Sequence, residues 1–196
     1  MKSATAEQAS AFTEAMASQF GARIVRRSDA IEYAMIKAAV LELTRGLVDI
    51  EKYLSTYSFS LGPLVYLADA HADEPDRRME IVTHECEHVR QFFDEKLTFA
   101  FLYLTEGEAR AKYEAEAYAS QLEFRLARGG SLPTEAELCA PIHTAAYRLD
   151  EAQKRLADHI LAVRATQAVK GIYVGTCSKF AIAWLKDHHP GLLAAV

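Results

Sequence analysis

Hydrophobic and polar positions recur along most of this chain with the period of an α-helix. A run over residues 81–93 shows the pattern most clearly, because its apolar side chains fall at the spacing of one buried helix face. These apolar positions are Val82, Cys86, Val89 and Phe93. Similar patterns and a helix-favouring composition predict further helices over residues 4–20, 30–43, 105–124, 135–147, 150–170 and 178–187.

One stretch has a different character. Residues 57–67 alternate polar and apolar side chains around an interruption at Gly62 and Pro63, which predicts a β-strand. Proline cannot donate a backbone hydrogen bond, so Pro63 limits this strand to a sheet edge or a bend. The chain is therefore predicted to be α+β and mostly α-helical, forming a single domain over residues 1–196. Its core is expected at about residues 57–128, with helical extensions on both sides.

The composition fits a folded domain, since 51% of the 196 residues are hydrophobic and 25% are charged. A net charge of −5 gives no electrostatic reason to expect nucleic acid or an anionic membrane as a partner. No apolar run reaches the roughly 18 residues of a membrane span, and the N-terminus lacks the apolar core of a signal peptide. We therefore expect a cytoplasmic protein whose three widely spaced cysteines are reduced.

Residues 84–88 carry the pattern H-E-x-x-H within the clearest helical run. On a helix, His84 and His88 lie one turn apart on the same face and can both direct a ring nitrogen at one metal ion. Glu85 lies beside them, whereas Cys86 points to the apolar side. Chance would produce this pattern in about three of every hundred chains of this composition. The alternative interpretation is an amphipathic helix with two surface histidines.

The pattern resembles the metal helix of the zincin-like zinc metallopeptidases, and of their gluzincin type in particular. The resemblance implies that His84 and His88 bind Zn²⁺ and that Glu85 is the general base. It also implies a zincin-like core with an edge strand, along which a peptide or protein substrate lies extended. The strand predicted over residues 57–67 fits this place, although an ordinary hairpin covering the core explains its pattern equally well.

A catalytic zinc site generally has three protein ligands, so a third donor is required. The predicted helix over residues 105–124 offers several glutamates. Glu114 is favoured, because it shares a face with small or uncharged side chains that would let this helix approach the metal helix closely. Its surroundings also resemble the glutamate helix of HtpX-type and ImmA-type metallopeptidases, although Tyr118 stands where those families have Asp or Asn.

Glu106 is the alternative third ligand, because its surroundings resemble the Glu-Gly frame of the aminopeptidase-like gluzincins. The same residues also fit a capping box, with Thr105 as N-cap and Glu108 reaching back to it. Glu116 is predicted to lie on the solvated face and to pair with Lys112.

Gluzincin-type enzymes also use a His or Tyr to stabilise the oxyanion, and the resemblance suggests Tyr118, His143 or Tyr173 for this role. The predicted function is hydrolysis of peptide bonds by a zinc-activated water, with Glu85 as general base. One alternative is a catalytically silent metal-binding or assembly module of the same fold, of phage origin for example. Another is metal-dependent hydrolysis of a non-peptide substrate.

Overall fold

A computed structural model describes residues 2–30 and 57–194 of the chain, most of them in helices. The strands are β1 (Arg23–Arg26), β2 (Phe59–Leu61) and β3 (Leu64–Leu67). The helices are α1 (Ala6–Phe20), α2 (Asp69–Asp73), α3 (Pro75–Glu95), α4 (Leu97–Thr105), α5 (Gly107–Ala127), α6 (Glu135–Cys139), α7 (Glu151–Val169) and α8 (Thr176–His188). Short 3-10 helices occupy Arg27–Asp29, Ala145–Tyr147 and Pro190–Leu192.

This architecture confirms an α+β protein of mostly α-helical content. The helix predicted over residues 30–43 falls, apart from its first residue, outside the described residues. None of the helices in the described ranges combines the length and the apolar character that crossing a membrane requires.

The three strands form one small sheet with β3 at its centre. β2 and β3 are joined in an antiparallel hairpin, in which Phe59 lies opposite Tyr66, and β1 runs parallel to β3. Gly62 in the hairpin turn has φ +57, a conformation that glycine adopts without steric cost. The predicted single strand is therefore a hairpin with Pro63 in its turn, and β2 lies at an edge of the sheet. That this edge holds an extended substrate stays a prediction.

Capping residues determine where several predicted helices begin and end. Thr5 forms a capping box with Gln8 at the start of α1, and Gly21 ends that helix in the left-handed conformation. Asp150 caps α7 in the same way, by accepting hydrogen bonds from the backbone of Ala152 and Gln153. α1, α7 and α8 accordingly match the helices predicted at their places.

The helix predicted over residues 135–147 is wrong beyond Cys139. Thr134 and Glu137 form the capping box of α6, which ends after five residues. Pro141 follows two residues later, and proline has no backbone N–H with which to continue the hydrogen bonding of the helix. The chain therefore continues through turns to the 3-10 helix at Ala145–Tyr147.

α3, which carries the H-E-x-x-H pattern, is buried at every residue from 79 to 89. Its apolar face is confirmed at Val82, Cys86 and Val89, whose side chains are fully buried in the core. The prediction is wrong for Phe93, which is 48% exposed. Phe93 lies in the last turn of α3, where the core gives way to the surface and the ring rests beside Gly21.

α5 lies between two apolar clusters. On one side, Phe124 joins the core formed with α1, α3 and α8, and its ring centroid lies 5.2 Å from that of Phe12. On the other side, Ala111, Ala115 and Ala119 recur every four residues in a cluster shared with α7. Small side chains at this spacing let two helices approach closely. α5 is thereby held against α3 as well as α7.

Cys86, Cys139 and Cys177 are all buried, and none of them forms a disulfide. This confirms the prediction of reduced thiols. Cys86 belongs to the apolar core, as expected from its place on the helix.

Two buried glutamates connect the helices that form this arrangement. Glu87 of α3 accepts a hydrogen bond from the Ser120 hydroxyl of α5 at 2.9 Å. Glu123 of α5 accepts hydrogen bonds from Arg164 Nε at 2.6 Å and from the backbone N–H of Gly175 at 3.0 Å. Buried carboxylates are stable only when they are paired in this way, so these contacts fix α3, α5, α7 and α8 relative to one another.

Gly175→Ala is expected to lower the free energy of unfolding by about 1–3 kcal/mol. A Cβ at this position would lie 2.3 Å from Ser120 Oγ and 2.8 Å from Ser178 Oγ, and both hydroxyls are held by buried glutamates. Urea unfolding measures the effect. Gly191→Ala is the matched control, because the nearest atom to its Cβ would be 3.9 Å away. Equal stability of the two variants would contradict this packing.

Candidate metal centre

Two helices bring His84, His88 and Glu114 together inside the protein. α3 supplies both histidines and α5 supplies the glutamate, and one possible ligand atom of each lies within 4.8 Å of the others. His88 Nε2 lies 3.5 Å from Glu114 Oε1, and His84 Nε2 lies 3.9 Å from Glu114 Oε2. Ligand atoms bound tetrahedrally to one zinc ion would be about 3.3 Å apart. A small movement of the three side chains would therefore bring their ligand atoms to bonding distance of one ion. The three residues are termed the His-His-Glu group below.

The atoms of the His-His-Glu group suit a metal ion. The exposed fractions of His84, His88 and Glu114 are 6%, 7% and 1%. His84 Nδ1 and Glu114 Oε2 are buried without a hydrogen-bond partner among the described residues, which is rare for polar atoms inside proteins. Two imidazoles and a carboxylate form a donor set that binds zinc or Fe(II). The group could therefore hold a metal ion of this kind.

Without an ion, the charges inside the group lie on His88 and Glu114, which attract each other. Burial acts to raise the pKa of Glu114 and to lower that of His88, but the attraction between the two side chains outweighs burial. The pKa of Glu114 falls to about 2, and that of His88 rises to about 9. Burial and the neighbouring charge of His88 lower the pKa of His84 to about 3, which keeps that imidazole neutral. Metals bind neutral imidazole and ionised carboxylate, so His84 and Glu114 already have the binding form, whereas His88 would release a proton when an ion binds.

Gln91 orients His88. Gln91 Nε2 donates hydrogen bonds to the Tyr113 carbonyl at 3.2 Å and to Glu116 at 3.0 Å. Because both of these partners are acceptors, Gln91 Oε1 faces His88 and accepts a hydrogen bond from its Nδ1 at 2.9 Å. Nε2 of His88 is then the nitrogen directed at Glu114. The sequence analysis missed Gln91, although its i+3 spacing from His88 is a signal that could have identified it.

Gln91→Leu is expected to weaken metal binding about 10- to 100-fold, which is the usual effect of losing the hydrogen-bond partner of a metal-bound histidine. Leucine nearly preserves the size of the side chain but cannot accept the hydrogen bond from His88. Competition with a chelator measures the affinity. Gln167→Leu on α7 is the matched control and should leave the affinity unchanged. Unaltered affinity in a folded Gln91→Leu protein would show that Gln91 does not orient a ligand.

Glu85 adjoins the group and is almost completely enclosed. It is 3% exposed, and its Oε2 has no hydrogen-bond partner among the described residues. Burial raises the pKa of Glu85 to about 8, with the Glu114 carboxylate adding to this effect and His88 opposing it. A carboxyl group in such surroundings can take up and release a proton near neutral pH. The placement agrees with a base beside the two histidines, and the catalytic role itself stays a prediction.

Tyrosine side chains surround the group, and the sequence analysis identified only Tyr118 among them. The Tyr118 ring packs edge-on against His84, with 4.4 Å between ring centroids. Its hydroxyl lies 3.3 Å from that of Tyr147. The Tyr103 hydroxyl donates a hydrogen bond to Glu114 Oε1. Tyr103 thus fixes the carboxylate, and Tyr118 fixes one imidazole.

Arg110 positions the two tyrosines that sequence reasoning missed. Its guanidinium donates to the backbone carbonyls of Tyr103 at 2.6 Å and of Tyr147 at 2.7 Å. The segments that carry both tyrosines are thereby attached to α5. Tyr103 lies in the otherwise apolar run of α4, where a tyrosine hydroxyl needs a polar partner, and that was the available signal.

Glu106, the alternative third ligand, is exposed at the N-terminal end of α5 and is not part of the His-His-Glu group. The capping box predicted around it is wrong. Glu106 is itself the N-cap residue and its side chain makes no capping hydrogen bond. The Thr105 hydroxyl instead donates to the carbonyl of Phe101 at 2.8 Å, because Thr105 ends α4.

The predicted pair between Lys112 and Glu116 is also wrong. Lys112 pairs with Glu108 at 2.8 Å, one turn in the opposite direction. Glu116 turns toward α3 instead, where it accepts the hydrogen bond from Gln91. A cavity of about 650 Å³ has Gln91 and Glu116 in its wall, but none of the His-His-Glu group.

The other two residues suggested for oxyanion stabilisation lie elsewhere. His143 is exposed, and its Nε2 is hydrogen-bonded to Asp158 Oδ1 at 2.8 Å. Tyr173 is half-buried, and burial together with the charge of Glu123 raises its pKa. Among the described residues, neither belongs to the His-His-Glu group. Of the three tyrosine and histidine candidates, the structure therefore brings Tyr118 to the group.

Comparison of the chain with models of protein families, with curated proteins and with solved structures finds no match. The class of site consequently rests on the geometry: a buried His-His-Glu group that could hold a metal ion, on two packed helices, with a carboxyl side chain beside it.

Proposed function

We propose that the protein is a zinc-dependent metallopeptidase with a zincin-like core. The observation that carries this proposal is the convergence of His84, His88 and Glu114 with the enclosed carboxyl group of Glu85 beside them. A metal site needs only the first three. A buried acid with an unpaired oxygen next to the ligands is the additional feature that hydrolysis requires.

In this proposal, His84, His88 and Glu114 hold the ion. When bound, zinc supplies Lewis-acid chemistry, because it acidifies water and polarises a carbonyl group. Glu85 takes a proton from the attacking water and later delivers it to the leaving amine. The enclosure of Glu85 excludes bulk water and sustains a pKa close to neutrality, which suits a group that must both accept and donate a proton.

The surrounding residues keep these groups in place. Gln91 orients His88, and Tyr103 holds Glu114 through its hydroxyl. Tyr118 packs against His84, and in this proposal its hydroxyl donates a hydrogen bond to the oxyanion of the substrate.

A second candidate function is a metal centre without turnover. The enclosure of the group favours it, since each of His84, Glu85, His88 and Glu114 is at most 7% exposed. Structural zinc sites are closed, whereas catalytic sites keep a position open for substrate. A closed centre of this kind would stabilise the fold or an assembly.

Metal analysis of the purified protein, followed by incubation of the zinc-loaded protein with a peptide library, tests the proposal. We expect about one zinc ion per chain and cleavage of a subset of peptides. Full zinc occupancy without cleavage of any peptide would favour the centre without turnover. Absence of bound zinc after loading would reject both functions.

A further inference from the structure

A cavity of about 340 Å³ lies between the N-terminal part of α3 and the C-terminal part of α5. Tyr118 lines this cavity and also packs against His84. One aromatic ring therefore separates the cavity from a candidate metal ligand. No sequence motif pointed to this space, since its lining comes from three separate parts of the chain.

The cavity has an excess of positive charge, because Arg77 and Arg125 line it together with a single acid, Glu137. Glu137 is engaged by its own helix, where it accepts a hydrogen bond from the backbone N–H of Thr134 at 2.9 Å. Arg77 lies 3.3 Å from Glu80. Arg125 attracts Glu137 across the cavity, and its charge contributes to the lowered pKa of that acid, but the two form no ion pair within the part of the chain that the structure describes. The Arg125 guanidinium can therefore bind a ligand that enters the cavity.

These cations are aligned with the metal ligands on both helices. On α5, one face presents side chains at intervals of three or four residues, namely Glu114, Tyr118, Gln121 and Arg125. On α3, Arg77 precedes His84 by two turns, about 10 Å along the axis. A ligand extending from the His-His-Glu group along α5 would thus pass Tyr118 and reach Arg125.

We propose that this cavity is a substrate subsite that binds a carboxylate on Arg125, with Arg77 beside it. The inference rests on the proposed peptidase function and names its substrate class, which is peptides with an acidic group to one side of the cleaved bond. Guanidinium groups bind carboxylates through paired, charge-assisted hydrogen bonds. Leu122 and Leu138 in the same wall suit the aliphatic part of such a residue. The carboxylate comes either from an Asp or Glu side chain or from the C-terminus of the peptide.

Binding of defined peptides to zinc-loaded Glu85→Gln protein tests the subsite without requiring turnover. The probes are acetylated pentaalanine with a free C-terminus, the same peptide amidated, and amidated versions with Glu or Gln at the centre. Calorimetry should show that at least one carboxylate peptide binds about 10- to 100-fold more tightly than its amide counterpart. The pair that shows the difference identifies the source of the carboxylate.

Arg125→Gln should abolish this preference, and Arg125→Lys should retain part of it because the charge remains. Arg77→Gln should weaken the preference as a second, independent variant. Arg155→Gln, which changes the net charge equally at an exposed position on α7, should leave it intact. Equal binding of carboxylate and amide peptides, or a preference that survives Arg125→Gln in a folded protein, would overturn the subsite. Peptide turnover by the unaltered protein is measured separately, so that its absence counts against the peptidase function and not against the subsite.

Discussion

Glu85→Gln should leave zinc bound and lower the rate of peptide hydrolysis by about 100- to 10,000-fold, the usual contribution of a general acid or base. Glutamine is nearly isosteric with glutamate but cannot accept the proton. Because Glu85 is not a member of the His-His-Glu group, the metal content should not change. The measurements are kcat on a cleaved peptide and zinc per chain by elemental analysis.

Glu80→Gln is the control for this experiment. Glu80 lies on the same helix and is 6% exposed against 3% for Glu85, but it contacts Arg77 and lies outside the group. Its substitution should leave kcat within a few-fold of the unaltered protein. Undiminished turnover in the Glu85→Gln protein would contradict the assignment of Glu85 as the general base.

Glu114→Gln should weaken zinc binding more strongly than Gln91→Leu. Losing a residue that hydrogen-bonds to a metal ligand costs roughly 10- to 100-fold in affinity, whereas Glu114→Gln replaces a ligand itself. An amide oxygen is a far poorer donor than a carboxylate. The Tyr103 hydroxyl can still donate a hydrogen bond to the new side chain, so the variant should fold. His84→Ala and His88→Ala should lose zinc as well, since two remaining donors hold the ion weakly.

Glu106→Gln is the matched control for the third ligand. Glu106 and Glu114 lie on one helix but are separated by about two turns, roughly 12 Å, so one ion cannot bind both. Competition with a chelator should therefore show a large loss for Glu114→Gln and an unchanged affinity for Glu106→Gln. The reverse result would assign the third ligand to Glu106 and contradict the packing of α3 against α5.

Local geometry explains why much of the site could be predicted from the sequence. The spacing of His84 and His88 fixes their relation on any helix, whatever surrounds it. Glu114 could be selected because its face carries small side chains, and a face of that kind is where a second helix can approach. The end of α1 was predictable because Gly21, a residue that commonly ends helices, follows it.

The remainder depends on contacts between distant segments. Tyr103 contacts Glu114 and Tyr147 contacts Tyr118, and Arg110 of α5 donates hydrogen bonds to the backbone carbonyls of both tyrosines. Glu116 departs from the predicted pair with Lys112 because the approach of α3 offers it Gln91. Such choices between alternative partners are made by tertiary packing, so no helical periodicity could have revealed them. The same holds for the cavity beside Tyr118, whose wall is assembled from separate helices and the loop after α5.

The buried side chain of Glu87 has a consequence for how the His-His-Glu group would bind an ion. Glu87 lies on α3, the helix that carries both histidines. It accepts hydrogen bonds from Arg90 at 2.7 Å and from Ser120 of α5 at 2.9 Å. The contact with Ser120 connects α3 to α5 without involving the ion. The donor atoms are thus preorganised by packing, so little of the free energy of metal binding is needed to order the chain. An ion would then bind to, and leave, a protein that is already folded.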